Sequence, residues 1–382
     1  MSDANPLALY IHWPFCVSKC PYCDFNSHVR DSVDQAAWRR ALLADMAHEA
    51  AVFPKRPLTS IFFGGGTPSL MPPQTVAALI AAAERHWGFA DGIEITLEAN
   101  PSSVEAARFA DLARAGINRV SLGLQALDKG ALHFLGRAHD VDEGLAALDV
   151  AQTNFARVNF DLIYARPGQT VAEWEAELIR ALGFGTSHVS LYQLTIEPGT
   201  RFATLAANGT LPAVDPDHGA LLYEVSAAVT DEAGLPAYEI SNHARPGSES
   251  RHNLSYWRYD SYLGIGAGAH GRRGGFATLR HKKPENWLSA VKRNRSGLQS
   301  ETLLLPQERA REALLMGLRL REGISLSHIS AQSGIDQNAL LDFAALARIE
   351  DLGLITRAAD QITVTRAGML LLDAILGEIV AV

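Results

Sequence analysis

Six short runs of β-branched, aromatic and aliphatic residues alternate with helix-like stretches through the first 235 residues, and no other feature limits the fold so strongly. The runs are LALYIHW, LTSIFFGGGT, GIEITLEANP, RVSLGLQ, RVNFDLIYA and HVSLYQLTI. Helical stretches are read at 34–52, 73–87, 103–116, 142–153, 172–182 and 217–232, the second opening on Pro72 and Pro73. Strands joined by helices in series predict a parallel sheet with helical crossovers. Reactive residue types then recur at or near the end of each strand: cysteines after the first, Gly64 to Thr67 after the second, Glu98, Gln125, Asp161, and Tyr192 with Gln193. A barrel mouth collects residues in this way, whereas a doubly wound sheet gathers them at one switch point. The expected fold class is therefore α/β, a partial TIM-type (β/α)6 barrel spanning residues 1–235.

Beyond Pro236 the rhythm changes. Residues 236–300 are rich in glycine, aromatics and arginine, and read as extended segments and loops over the barrel. Arg280 to Arg295 form a basic stretch whose default reading is a solvated surface. Residues 301–382 predict helices from Pro306 and near 337–351, a hairpin-like pair in GLITRAADQITVTRAG and a final helix from Met369. Together these suggest a small C-terminal winged-helix-like domain. Such domains often bind DNA, but the net charge of −8 argues against nucleic acid as the partner and favours a packing role.

With 47% hydrophobic and 20% charged residues the chain is of ordinary globular composition. No apolar run approaches the ~20 residues of a membrane span, and the MSDANP start has no basic region followed by an apolar core. The expected location is the cytoplasm, a reducing compartment that suits free, clustered cysteines.

All the cysteines, Cys16, Cys20 and Cys23, lie in FCVSKCPYCDF. The C-x3-C-x2-C spacing puts three thiols on one tight loop directly after a strand. Zinc would need a fourth ligand, for which His12, Asp24 and His28 are near in sequence, but no second ligand cluster accompanies them. An iron–sulfur cluster with three protein thiols keeps one iron open for another ligand, the mark of a working site.

CxxxCxxC after a first strand resembles the signature of the radical S-adenosylmethionine (SAM) superfamily, and GGGTPS resembles that family's glycine motif. YIHWPFCVSKCPYCDF, FFGGGTPS, EANP, RVSLGLQ and DLIYARPGQT together are similar to the oxygen-independent coproporphyrinogen III oxidase group, over nearly the whole chain. Trp13 departs from the pattern where an aliphatic residue is usual. The resemblance implies a 4Fe–4S cluster on Cys16, Cys20 and Cys23, with SAM on the fourth iron. It implies that Tyr10 and Tyr22 border SAM, that Gly65, Gly66 and Thr67 meet its methionine part, and that Glu98, Gln125, Arg137 and Asp161 are its polar contacts. The residues alone allow Arg137 to be a surface ion pair and Asp161 a satisfied core carboxylate.

That group has an oxidase branch and a heme-chaperone branch. Phe25 stands where the oxidases carry a further cysteine, and the chain starts close to the motif where they have a long extension. HNLSYW, His252 to Trp257, resembles the HNxxYW motif that the chaperones associate with heme. The implied function is a heme carrier that delivers heme to apo-hemoproteins, some membrane-bound, with the cluster supporting transfer or a homodimer. The alternative is SAM-dependent decarboxylation of coproporphyrinogen III. His252 is the expected axial ligand, Tyr256 a ligand or donor, Trp257 a stacking partner, and Arg245, Arg251 and Arg258 partners for the propionates. His-Asn and Tyr-Trp pairs also occur in loops that simply pack.

Overall fold

The computed structural model describes residues 6–212 and 215–382; the residues read for the absence of a leader, 1–5, lie outside them. Six parallel strands run in sequence order: β1 (Leu7–Trp13), β2 (Leu58–Gly65), β3 (Phe89–Ala99), β4 (Arg119–Gln125), β5 (Arg157–Tyr164) and β6 (His188–Gln193). Crossover helices include α1 (Gln35–Val52), α2 (Pro73–Trp87), α3 (Val141–Asn154) and α4 (Val171–Leu182), while α5 (Pro216–Glu232) follows β6. Consecutive strand order is that of a barrel, not of a doubly wound sheet. The barrel is partial, because its two edges lead into added strands instead of into each other.

Strands β1 and β4 are buried almost throughout, as expected for strands covered on both faces. Helix starts follow local chemistry. The Asp34 carboxylate accepts the Ala37 N–H at 2.9 Å, and Thr170 with Glu173 forms a reciprocal cap on α4. The single helix expected at 103–116 is two short helices, Ser103–Ala106 and Phe109–Arg114.

The stretch after Pro236 supplies the extended segments expected there and adds two helices. It contributes β7 (Asn242–Ala244), helix α6 (Arg251–Trp257), and β8 (Ser261–Ile265), β9 (His270–Arg273), β10 (Phe276–Arg280) and β11 (Leu298–Leu303). Strand β7 pairs antiparallel with β6 at one edge, and β8 pairs parallel with β1 at the other, so the whole sheet has eleven strands. The basic stretch read as a solvated surface holds an 11-residue helix, α7 (Pro284–Asn294).

Arg280 shows why that surface reading fails. Its side chain is 0% exposed, with Nε 2.7 Å from Asp45 Oδ2 and Nη2 2.8 Å from Glu49 Oε1. Arg273 Nε donates to the other Glu49 oxygen at 2.7 Å, and the Gly266 and Gly297 amides donate to Asp45. A guanidinium desolvated to this extent is tolerated only when carboxylates compensate it. Trp287 of α7 stacks on Trp38 of α1 at 4.8 Å, and Trp38 meets Trp13 edge-on at 5.8 Å. The unusual Trp13 therefore fills an aromatic cluster instead of crowding its strand.

The C-terminal unit has its own core, including Leu314, Leu346, Ile362 and Leu376. Helices α8 (Pro306–Gly317), α9 (Leu326–Ser333), α10 (Phe343–Asp351) and α11 (Leu372–Ile379) surround a three-stranded wing of Ile324–Ser325, Ile355–Ala358 and Gln361–Val364. Among the described residues no helix is long and apolar enough to cross a membrane.

Replacing Arg280 by alanine would leave Asp45 buried without a cation and Glu49 paired with Arg273 alone. The expected loss is about 3–5 kcal/mol of unfolding free energy, measured by denaturant titration, and a loss below about 1 kcal/mol would discount the network's role.

Candidate functional site

The end of β1 and the end of β2 meet at the cysteine loop. Cys16 follows Phe15, which pairs with His28, so the loop leaves and re-enters through a short parallel bridge. Each sulfur has a polar side chain beside it. Thr67 Oγ1 donates to Cys16 Sγ at 3.4 Å, Arg137 Nη1 donates to Cys20 Sγ at 3.3 Å, and Ser27 Oγ lies 3.7 Å from Cys23 Sγ. Hydrogen bonds to sulfur favour thiolate and tune a bound metal, although burial raises the pKa of the Cys16 thiol. The three thiols are free and half-buried. They share one loop, and among the described residues no group of three or more His, Cys, Asp or Glu side chains is placed to hold a single metal ion. This donor set fits an iron–sulfur cluster better than zinc, because His12 is committed elsewhere: Nδ1 to the Tyr10 hydroxyl at 2.8 Å and Nε2 to the Asn26 carbonyl at 3.0 Å.

Arg137 is not a surface ion pair. It spans the loop and the barrel, with Nη2 donating to Asn100 Oδ1 at 2.6 Å and to the Gly123 carbonyl at 3.1 Å. Asn100, quoted in EANP but assigned no role from sequence, also reaches Thr67 and the carboxylate of Glu105. Its signal was its place at a strand end immediately before a proline. Tyr22 lies beside Cys20 and Arg137, and its hydroxyl pKa is raised, chiefly by burial.

The glycine turn is shaped by its neighbours. Gly65 has φ +117°, and a Cβ there would fall 2.5 Å from the His12 ring; at Gly66 it would fall 2.6 Å from the Phe15 carbonyl. The amides of Gly66 and Thr67 are spent on the Trp13 and Phe15 carbonyls, at 2.7 and 2.8 Å. The Gly65 amide donates to Glu98 Oε2 at 3.1 Å, so all three N–H groups are engaged within the protein.

Tyr10, Gly65 and Glu98 line a cleft of about 970 Å³ over the strand ends. Burial, then the nearby Asp161 carboxylate, raises the pKa of Glu98 to about 8, and burial raises that of Asp161 to about 6. Asp161 also accepts a hydrogen bond from Ser121 at 3.2 Å, which makes it partly satisfied. Gln125 ends β4 with φ +69°, a conformation that favours glycine and here strains a strand end facing the site.

The same cleft receives helix α6. Its N-terminus is held by the buried Glu94, which accepts the His252 amide at 3.1 Å and itself pairs with Arg157 at 2.7 Å. His252 and Tyr256 lie four residues apart on one helix face, with His252 Nε2 2.8 Å from the Tyr256 hydroxyl and Nδ1 2.9 Å from Ser60 Oγ. The His252 ring is 1% exposed and stacks on Phe62 at 4.9 Å, while Tyr10 lies 6.3 Å from both rings. Burial lowers the pKa of His252 to about 3, so the ring is neutral at physiological pH. It does not open onto the cleft with a free lone pair; Asn253, Tyr256 and Trp257 are the members of HNLSYW that do line it. Met316 of α8 closes the far side, bringing the C-terminal unit to the site.

Comparison with known proteins agrees with this architecture. Residues 10–179 match the radical SAM superfamily, and residues 304–371 match the HemN C-terminal domain. The heme chaperone HemW of Haemophilus influenzae is 37% identical, with 98% of each chain covered, and that of Escherichia coli is 36% identical with the same coverage. The mitochondrial radical S-adenosyl methionine domain-containing protein 1 of Bos taurus is 42% identical over 84% of this chain and 75% of its own length. Escherichia coli coproporphyrinogen III oxidase, HemN, superposes with a TM-score of 0.81 at 24% identity, covering 98% of this chain and 89% of that one. The chain belongs to the radical SAM superfamily and, within it, to the HemW family. Membership implies a 4Fe–4S cluster and SAM.

Glu98 gives a pH signature. Its folded pKa lies above its unfolded value, so its contribution to stability is present at low pH and is lost as pH rises through about 8. The melting temperature of the ligand-free chain should fall between about pH 5 and 8, and Glu98→Gln should flatten that slope. An unchanged slope in the variant would remove Glu98 as its source.

Proposed function

We propose that this chain is a heme chaperone that binds heme in the cleft and hands it to apo-hemoproteins. The observation that carries this reading is the shared cleft: Tyr256 and Trp257 of HNLSYW line the same cavity as Tyr10, Gly65 and Glu98. The full-length likeness to proteins named heme chaperone HemW supports it. Cys16, Cys20 and Cys23 would hold the 4Fe–4S cluster, and Tyr10, Tyr22, Gly65, Gly66, Thr67, Glu98, Gln125, Arg137 and Asp161 would surround SAM. Such a cluster supplies an iron with an open position and a transferable electron. The protein's part is to anchor that assembly through Arg137 and Thr67 and to keep the buried carboxyl of Glu98 largely protonated until a cationic ligand compensates it.

His252 enters this reading as the residue that positions Tyr256, and its Nε2 becomes available to heme iron only if the Tyr256 hydroxyl lets go. A cytoplasmic setting, a membrane-bound acceptor and a homodimer belong to the same proposal. Charge and site both leave nucleic acid out of it.

Purified full-length protein should bind heme stoichiometrically, and His252→Ala and Tyr256→Phe should each weaken retention. Anaerobic incubation with coproporphyrinogen III, SAM and reductant should give negligible decarboxylation. Accumulating protoporphyrinogen would instead favour the oxidase alternative. Iron and sulfide analysis should give about four of each per chain, lost in Cys20→Ala; full retention of iron in that variant would contradict the ligand assignment.

A further inference from the structure

A porphyrin in the cleft needs partners for its propionates, and the arginines beside HNLSYW do not provide them. Arg258 forms a fork with Glu322, Nε to Oε1 at 2.6 Å and Nη2 to Oε2 at 2.8 Å. Arg251 donates to the Gly92 carbonyl at 2.6 Å. Neither lines the cleft, and nor does Arg245.

The ammonium groups that do line it are Lys19, on the cysteine loop, and Lys282, just after β10. Both are exposed, and neither forms an ion pair among the described residues. Their segments are joined in a fixed rim. Asn26 Nδ2 donates to the Ala267 carbonyl at 2.9 Å and to the Lys282 carbonyl at 3.0 Å. A Cβ at Gly268, where φ is +86°, would fall 2.2 Å from that Asn26 nitrogen, so the contact requires glycine. His28 and His270 also line this rim, but burial and neighbouring cations lower both pKa values, and Asp24 is its carboxylate.

The opposite side of the cleft, toward β3, β6 and β7, is rich in acceptors. Glu98 and Glu239 face it, and Glu239, 3% exposed, accepts from the Asn242 amide. The Asn242 Oδ1 is buried without a partner among the described residues. Cations on one side and acceptors on the other admit a flat apolar ligand with anionic groups on one edge in a single orientation. We propose that Lys19 and Lys282 take the heme propionates at this rim, an assignment that rests on the heme-carrier reading above.

The test compares the affinity of the full chain for heme with its affinity for heme dimethyl ester, which keeps ring and iron but lacks the negative charges. Wild type should hold heme about five- to ten-fold more tightly than the ester, with the preference shrinking at high salt. K19Q/K282Q should erase the preference and leave ester affinity unchanged, K19R/K282R should keep it, and R251Q/R258Q should also keep it. A preference that survives K19Q/K282Q, or that vanishes in R251Q/R258Q, overturns the assignment. A wild-type chain that binds neither compound overturns the carrier reading itself, and the lysine assignment falls with it.

Discussion

Asp45 and Glu49 are buried on α1, and the cations that neutralise them arrive more than 220 residues later in the chain as Arg273 and Arg280. That pairing fixes the rest of the site. It holds β10 and the α7 segment against α1, which sets β8 parallel to β1 and leaves α6 lying over β2. Without a compensating arginine the two carboxylates would carry a desolvation cost of several kcal/mol each. The sheet extension and the barrel therefore form one rigid frame, and the cleft lies at the strand ends of that frame.

Within the cleft, two kinds of chemistry share one wall. Tyr10 bonds His12 and contacts the rings of Phe62 and His252, so the loop that carries the thiols and the helix that carries HNLSYW are separated by a few aromatic layers. Glu94 sets the start of α6 from inside the barrel, and Glu312 of α8 accepts from both Tyr259 and Arg272, tying the C-terminal unit to the same region. Met316 of α8 brings that unit to the cleft. Burial raises the pKa of Glu98 to about 8, which keeps this cleft-lining carboxyl largely protonated at neutral pH until a cation compensates it.

Much of this was legible in the sequence. Strands such as β1 and β4 are legible because a strand covered on both faces reads as a continuous apolar run, and RVSLGLQ matches β4 end to end, whereas the partly exposed start of β3 at Phe89 lies before the run GIEITLEANP. The thiol loop and glycine turn were legible because their spacing is local. What stayed hidden depends on distant partners. A run of basic residues from Arg280 looks like solvent-exposed surface until Asp45 and Glu49 are placed beside it. SYLGI lies in a stretch that reads only as extended segments and loops; a five-residue strand has too little pattern of its own to show its partner, and pairing with β1 fixes it. The role of His252 was read from residue type, whereas its burial and its bonds to Ser60 and Tyr256 follow from the packing of α6 on β2.

The proposed heme carrier places heme in the cleft that the cysteine loop borders with Lys19, Asp24 and Phe25. The most direct measurement is the position of iron in the heme-loaded full chain, located by anomalous scattering at the iron edge. A single heme iron is expected within the cleft bounded by Phe25, Trp257 and Met316, distinct from the cluster irons at Cys16, Cys20 and Cys23. Heme iron on the outer face of the C-terminal unit, or elsewhere outside that cleft, would contradict it.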